Sequence, residues 1–168
     1  MTDFHKLFPG SGQGKEYDFL QHQFARLKPT SVLDYGAGKG GTTRWLNSLG
    51  YSTTAYDPYW PEHNNKGVLD SEYDALFTAD VLEHIELDHI PWDTFKRLSK
   101  QQLHIIDLTP AKKLLPDGRN AHITLLEEEQ WIEQFSTHMG GNLRMRYTYA
   151  TPDPNYEWRN RLCLHIEL

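Results

Sequence analysis

Ser31-Val32-Leu33-Asp34-Tyr35-Gly36-Ala37-Gly38-Lys39-Gly40-Gly41 is the stretch from which the fold is read. Val32 and Leu33 favour a short buried strand. Gly36, Gly38 and Gly40 follow, and their missing Cβ atoms let a ligand approach the backbone. Thr42, Thr43, Trp45, Leu46 and Leu49 continue in helical rhythm, and Gly50 supplies a C′ stop. A strand feeding a glycine turn and a helix N-terminus is the ligand-binding corner of a doubly wound α/β domain.

Two ligand classes use such a corner. Gly36-x-Gly38-x-x-Gly41 satisfies the dinucleotide fingerprint, in which a pyrophosphate rests on the helix N-terminus. Asp34 discriminates between them. A pyrophosphate has no use for a carboxylate two residues before the first glycine, whereas a cationic ligand is attracted by it. For Asp34 alone, an N-capping role beside a tight turn is the structural alternative. Leu33-Asp34-x-Gly36-x-Gly38-x-Gly40 resembles motif I of the class I S-adenosylmethionine-dependent methyltransferases.

Tyr51 to Tyr56 reads as the second strand and ends at Asp57, with Pro58 next. An acid there accepts both ribose hydroxyl protons in nicotinamide and adenosylmethionine sites alike, so Asp57 indicates an adenosine ligand without choosing between them. An Asp-Pro turn opener is the alternative. Pro58-Tyr59-Trp60-Pro61 offers either an aromatic wall for adenine or a surface clamp, and is not the Asp/Asn-Pro-Pro-aromatic motif of DNA amino-methyltransferases. Gly67 to Asp70 reads as a short third strand, with Asp70 a candidate for the adenine amino group.

Tyr73 to Thr78 reads as a buried fourth strand, and Ala79-Asp80-Val81-Leu82-Glu83-His84-Ile85 follows it. This second stretch resembles the post-strand-four motif of the same family. The two motifs occur in the expected order, and the resemblance covers Ser31 to Leu108 best. It implies a Rossmann-like, mostly parallel seven-stranded sheet of order 3-2-1-4-5-7-6, closed by an antiparallel C-terminal hairpin, with the third strand short or degenerate. It implies S-adenosyl-L-methionine as cofactor and S-adenosyl-L-homocysteine as product. Asp34, Tyr35, Gly36, Ala37, Gly38 and Gly40 would hold the methionine portion, Asp57 and Pro58 the adenosine, and Asp80 and Val81 the floor near the methyl group. Asp80 as a helix cap, and Glu83 and His84 as a polar face, are the structural alternatives.

His84, Glu86, Asp88 and His89 raise the question of a metal, but His84 and His89 are five apart and do not share a helical face as i, i+4 ligands would, and the other histidines are scattered, so no metal is expected. Pro91 suits a helix start, with Trp92, Phe95 and Leu98 as its apolar stripe, and Gln102 to Leu108 reads as the fifth strand. The turn-rich block Thr109 to His122 then lies beside the expected crevice. Lys112, Lys113 and Arg119 are candidates to hold an anionic acceptor, with His84 and Asn120 as further acceptor contacts and His122 as the general base. A solvated loop ending in a satisfied histidine is the alternative. Leu115-Pro116-Asp117-Gly118-Arg119-Asn120-Ala121-His122 resembles a stretch of small, uncharacterised methyltransferase-like proteins and implies no acceptor.

Thr124-Leu125-Leu126-Glu127 reads as a capping box for a helix carrying Trp131, Ile132 and Phe135, ended by Gly140-Gly141. Leu143 to Tyr149 and Leu162 to Leu168 read as hairpin strands around a long loop, Pro152 to Trp158, whose Tyr156 and Trp158 cover the edge.

The 168 residues suit one domain, with residues 1–14 a linker before the first helix or a lid carrying Phe4 and Phe8. The net charge of −6 argues against unaided nucleic-acid or anionic-membrane binding, and the basic loop with Lys112, Lys113 and Arg119 favours a small anionic molecule or a glycan as acceptor. The lone Cys163 suits a reducing cytoplasm, no stretch is apolar enough to span a bilayer, and oligomeric state is open. A non-catalytic adenosylmethionine-binding module and a NAD(P)-dependent oxidoreductase are the competing functions; Asp34 and the Asp80–Ile85 motif count against the second.

Overall fold

The computed structural model of the chain describes residues 15–153 and 156–168. The expected lid, with Phe4 and Phe8, lies outside the described residues, and so do the side chains of Tyr17, Tyr156 and Trp158.

Helix α1 (Lys15–Leu27) buries Phe19, Leu20 and Phe24. Strand β1 (Ser31–Tyr35) is followed by α2 (Gly41–Ser48) and β2 (Ser52–Tyr56). Then come β3 (Ala75–Ala79), α3 (Trp92–Leu98), β4 (Gln101–Asp107) and α4 (Glu128–Met139). The hairpin β5 (Asn142–Asp153) and β6 (Tyr156–Glu167) follows. The sheet order is β2-β1-β3-β4-β6-β5. The first four strands run parallel, and β6 runs antiparallel to both β4 and β5.

Helices cover both faces, so the central strands read as near-continuous buried runs. Alternate residues divide between two cores. Leu33, Leu76 and Ile106 pack with Trp92, Phe95, Trp131 and Phe135 under α3 and α4. Val32, Phe77, Leu103 and Ile105 pack with Phe24, Trp45 and Leu46 under α1 and α2. No helix among the described residues is long and apolar enough to cross a membrane.

The doubly wound class holds, with three corrections. The sheet has six strands, because the expected third strand is a 3-10 helix, Lys66–Asp70. Asn65 turns the chain there by accepting the Gly67 N–H at 3.0 Å, and Val68 and Leu69 pack on the core from its side. Removing that strand from the expected order leaves the observed one. The capping box lies three residues later than expected, between Glu127 and Gln130. Thr124 instead donates its hydroxyl to the Ile85 carbonyl at 2.7 Å. The hairpin ladder continues to Asp153↔Tyr156, so the expected loop from 152 to 158 shrinks to its tip. Beyond β3, Asp80 caps no α-helix; Leu82–His84 and Leu87–His89 are 3-10 turns.

Candidate functional site

A cavity of about 480 Å³ opens where β1, β2 and β3 end, lined by Tyr35, Gly36, Asp57, Pro58, Asp80, Val81 and His84 among others. Parallel strands bring these residues together because all three end on one edge of the sheet.

The glycine turn is latched to the end of β2. Gly36 and Ala37 donate their N–H groups to the Tyr56 carbonyl at 2.7 and 3.0 Å. Gly38 donates to Asp57 Oδ2 at 2.8 Å. Gly36 has φ +83°, and a Cβ there would lie 2.3 Å from Val81 Cγ2. Only glycine lets the β1 turn pack this closely on the β3 turn. Gly40 is held against His63, whose Nδ1 donates to the Gly38 carbonyl at 2.8 Å.

Asp57 sits at the cavity wall. Its Oδ1 accepts the Tyr59 N–H at 2.8 Å, so each carboxylate oxygen already holds one backbone donor. Each keeps a second lone pair for a ligand hydroxyl. Asp34 is placed differently from Asp57. It is buried beneath the turn, accepts the Thr43 hydroxyl at 2.6 Å and does not line the cavity. Burial pushes its carboxyl up to about 7. Tyr35 lines the cavity while its ring lies 4.9 Å from that of Phe95, and burial pushes its phenol up to about 12.

Asp80 has φ +54° and a carboxylate gripped by Arg161 through two bonds of 3.0 and 2.7 Å. Arg161 Nη2 also lies 3.9 Å from Asp107 Oδ2. Sequence reasoning missed this arginine; its only signal is a cation directly abutting the apolar run Leu162–Leu164.

Beside Asp80, the rings of His84 and His122 meet edge to face at 4.6 Å. His84 Nδ1 donates to the Ala121 carbonyl at 2.8 Å, and His122 Nδ1 to the Thr109 carbonyl at 2.5 Å. His84 is exposed to the cavity, whereas His122 is only 4% exposed. Glu83 is fully buried; its Oε1 accepts the Asp107 N–H at 3.0 Å, and its Oε2 has no hydrogen-bond partner among the described residues. Burial, reinforced by the nearby Asp80, raises the Glu83 carboxyl well above its ordinary value.

The loop before His122 is braced internally. Asn120 exchanges two hydrogen bonds of 2.9 Å with the Ala111 backbone and accepts the His122 N–H. Arg119 is paired with Asp117 at 2.7 Å and Glu86 at 2.6 Å. Lys112 is exposed and, like Lys113, Arg119 and Asn120, does not line the cavity. Asp70 is also exposed and outside it. A second concavity of about 560 Å³ shares Glu86 and Ile123 with the first and is walled by Leu87, Trp92 and Leu126.

A family model for the methyltransferase domain matches residues 12–151. No curated protein sequence matches the chain. Among solved structures, a magnesium protoporphyrin IX methyltransferase from Synechocystis with bound S-adenosylhomocysteine superposes with a TM-score of 0.61 at 15% identity, covering 99% of this chain and 94% of its own. A 1,6-didemethyltoxoflavin-N1-methyltransferase from Burkholderia thailandensis gives 0.59 at 18% identity, covering 88% of this chain and 75% of its own. A 16S rRNA methylase gives 0.56 at 17% identity, covering 90% and 81%. At these identities the likeness is one of fold.

Proposed function

This chain belongs to the methyltransferase-domain family, and we propose that it transfers a methyl group from S-adenosylmethionine to a small acceptor at the shared cavity. The observation that carries this is the convergence of the glycine turn, Asp57 and Asp80 on one cavity at the strand ends. The residues present fit the cofactor. Gly36 brings the backbone to the wall, Asp57 keeps free lone pairs for the ribose hydroxyls, and about 480 Å³ suits an adenosine ligand. When bound, S-adenosylmethionine supplies an electrophilic methyl carbon on a sulfonium.

Asp57 and Pro58 orient the adenosine end. Tyr35 and the Gly36–Gly40 turn hold the methionine end, and Asp80, fixed by Arg161, with Val81 forms the floor. Asp34 acts from beneath, tying β1 to α2 through Thr43, and its contribution to a cationic ligand is through the field of the turn rather than by contact. Displacement at carbon asks the protein for alignment and exclusion of water more than for covalent help.

The acceptor reaches the cavity from the neighbouring concavity, past Glu86 and Ile123, and presents its nucleophile near His84. The apolar wall of Leu87, Trp92 and Leu126 favours a small organic acceptor over an exposed polyanion. Arg119, already paired with two acids, is a support for the loop rather than an anion hook.

Calorimetric titration with S-adenosylhomocysteine and NADH, for the wild type and Asp57→Ala, tests the cofactor. S-adenosylhomocysteine binds the wild type, and losing a charged acceptor in the variant costs about 1.5–3 kcal/mol, roughly 10- to 150-fold in affinity. Selective NADH binding, or no S-adenosylhomocysteine binding, would overturn the proposal.

A further inference from the structure

We propose that Glu83, His84 and His122 form a binding site for a divalent transition-metal ion beside the cavity. One ligand atom from each of the three lies within 4.8 Å of the others. They come from the turn after β3 and the loop after β4, which the parallel pairing of those strands places side by side. The expectation of no metal came from the spacing of His84 and His89 and from the scatter of the other histidines along the chain; the fold brings one of those, His122, to His84 across two strands.

Two further features point to an ion. Each imidazole donates Nδ1–H to a backbone carbonyl, Ala121 for His84 and Thr109 for His122. That bond fixes the tautomer and leaves Nε2 as the nitrogen with a lone pair, as the outer shell of a metal-bound histidine does. The second is Glu83. A buried carboxylate oxygen normally has a donor, yet Oε2 has none among the described residues while Oε1 is held by Asp107. A cation beside the imidazoles satisfies that oxygen.

Two imidazole nitrogens and one carboxylate oxygen are a donor set for zinc, manganese, iron or cobalt rather than for calcium or magnesium, which prefer oxygen throughout. Three protein ligands leave positions open. His84 faces the cavity, so the open side of the ion faces it too. His122 then serves as a ligand, and the ion takes over the task of lowering the acceptor's proton affinity. This last consequence rests on the methyl-transfer proposal; the metal site itself does not.

The test is titration of chelator-treated full-length protein with Zn²⁺ by calorimetry and with Co²⁺ by visible absorption. The wild type takes up one equivalent of each, and Co²⁺ shows d–d bands of a low-symmetry nitrogen–oxygen site. His84→Ala, on an exposed side chain that the core does not need, weakens both by at least about tenfold. Glu83→Gln does the same, and His89→Ala, at the neighbouring histidine, leaves both unchanged. Circular dichroism of each variant confirms that it is folded. Absence of stoichiometric binding to the wild type would overturn the site, as would equal binding by His84→Ala. S-adenosylhomocysteine titrations on the same samples separate a failure here from a failure of the cofactor assignment.

Discussion

Asp34 and Asp57 both stand at strand ends, and burial gives them different work. Asp57 stays at the cavity wall, whereas Asp34 is 3% exposed and tied to Thr43. Burial raises the Asp34 carboxyl from 3.8 to about 7. The folded state therefore holds this proton more tightly than the unfolded chain. Its contribution to stability is fully present below about pH 4 and is lost as pH rises through about 7. Buried His104, pushed down to about 3, and His165, pushed down to about 4, act in the opposite sense, losing stability as pH falls below 6.5. The difference between wild type and Asp34→Asn isolates the aspartate. In urea titrations, the variant gains on the wild type from pH 4 to 7, and a difference independent of pH would refute the assignment. The glycine spacing identifies Asp34 as part of the turn, but depth below the surface belongs to the packing of α2 on β1.

Strand β6 reaches the site through Arg161, an element-scale contact that no motif announces. Arg161 is 8% exposed in its side chain and bridges β6 to the turn after β3. Removing it takes away the cation that grips Asp80 and lies 3.9 Å from Asp107. Breaking a fully buried pair costs about 3–5 kcal/mol. Asp80 is 39% exposed in its side chain, so Arg161→Met is expected to cost about 2 kcal/mol. It also shifts the Asp80 carboxylate from its place in the cavity floor. Chemical denaturation reads the first effect, and weakened S-adenosylhomocysteine binding the second. A variant as stable as the wild type would show that the pair does no more than fill space. The loop from Thr109 to His122 shows the same dependence on neighbours: Asn120 and Arg119 look like acceptor contacts in sequence, yet their partners are Ala111, Asp117 and Glu86.

At the scale of the whole molecule, the cavity is formed by turns from three strands, so a ligand that fills it ties those turns together. At about 100 times its dissociation constant, S-adenosylhomocysteine should add roughly 2.7 kcal/mol. For a domain of this size that raises the Tm by roughly 5–11 °C. Differential scanning calorimetry measures it, and the shift should shrink in Asp57→Ala; an unchanged Tm would contradict ligand binding at this edge. The sequence by itself determined the β1 glycine turn, the acid closing β2, the motif after β3 and the antiparallel hairpin. These are local: a turn requires glycine at positive φ, a buried strand requires an apolar run, and both signals lie within a few residues. Tertiary structure alone decided that the Gly67–Asp70 segment leaves the sheet, that Asp34 is buried, that Arg161 holds Asp80 and that His122 meets His84 and Glu83. Those contacts depend on how whole elements pack: parallel β1, β3 and β4 align their ends on one edge, and antiparallel β6 carries Arg161 to that edge beside Asp107 and Asp80.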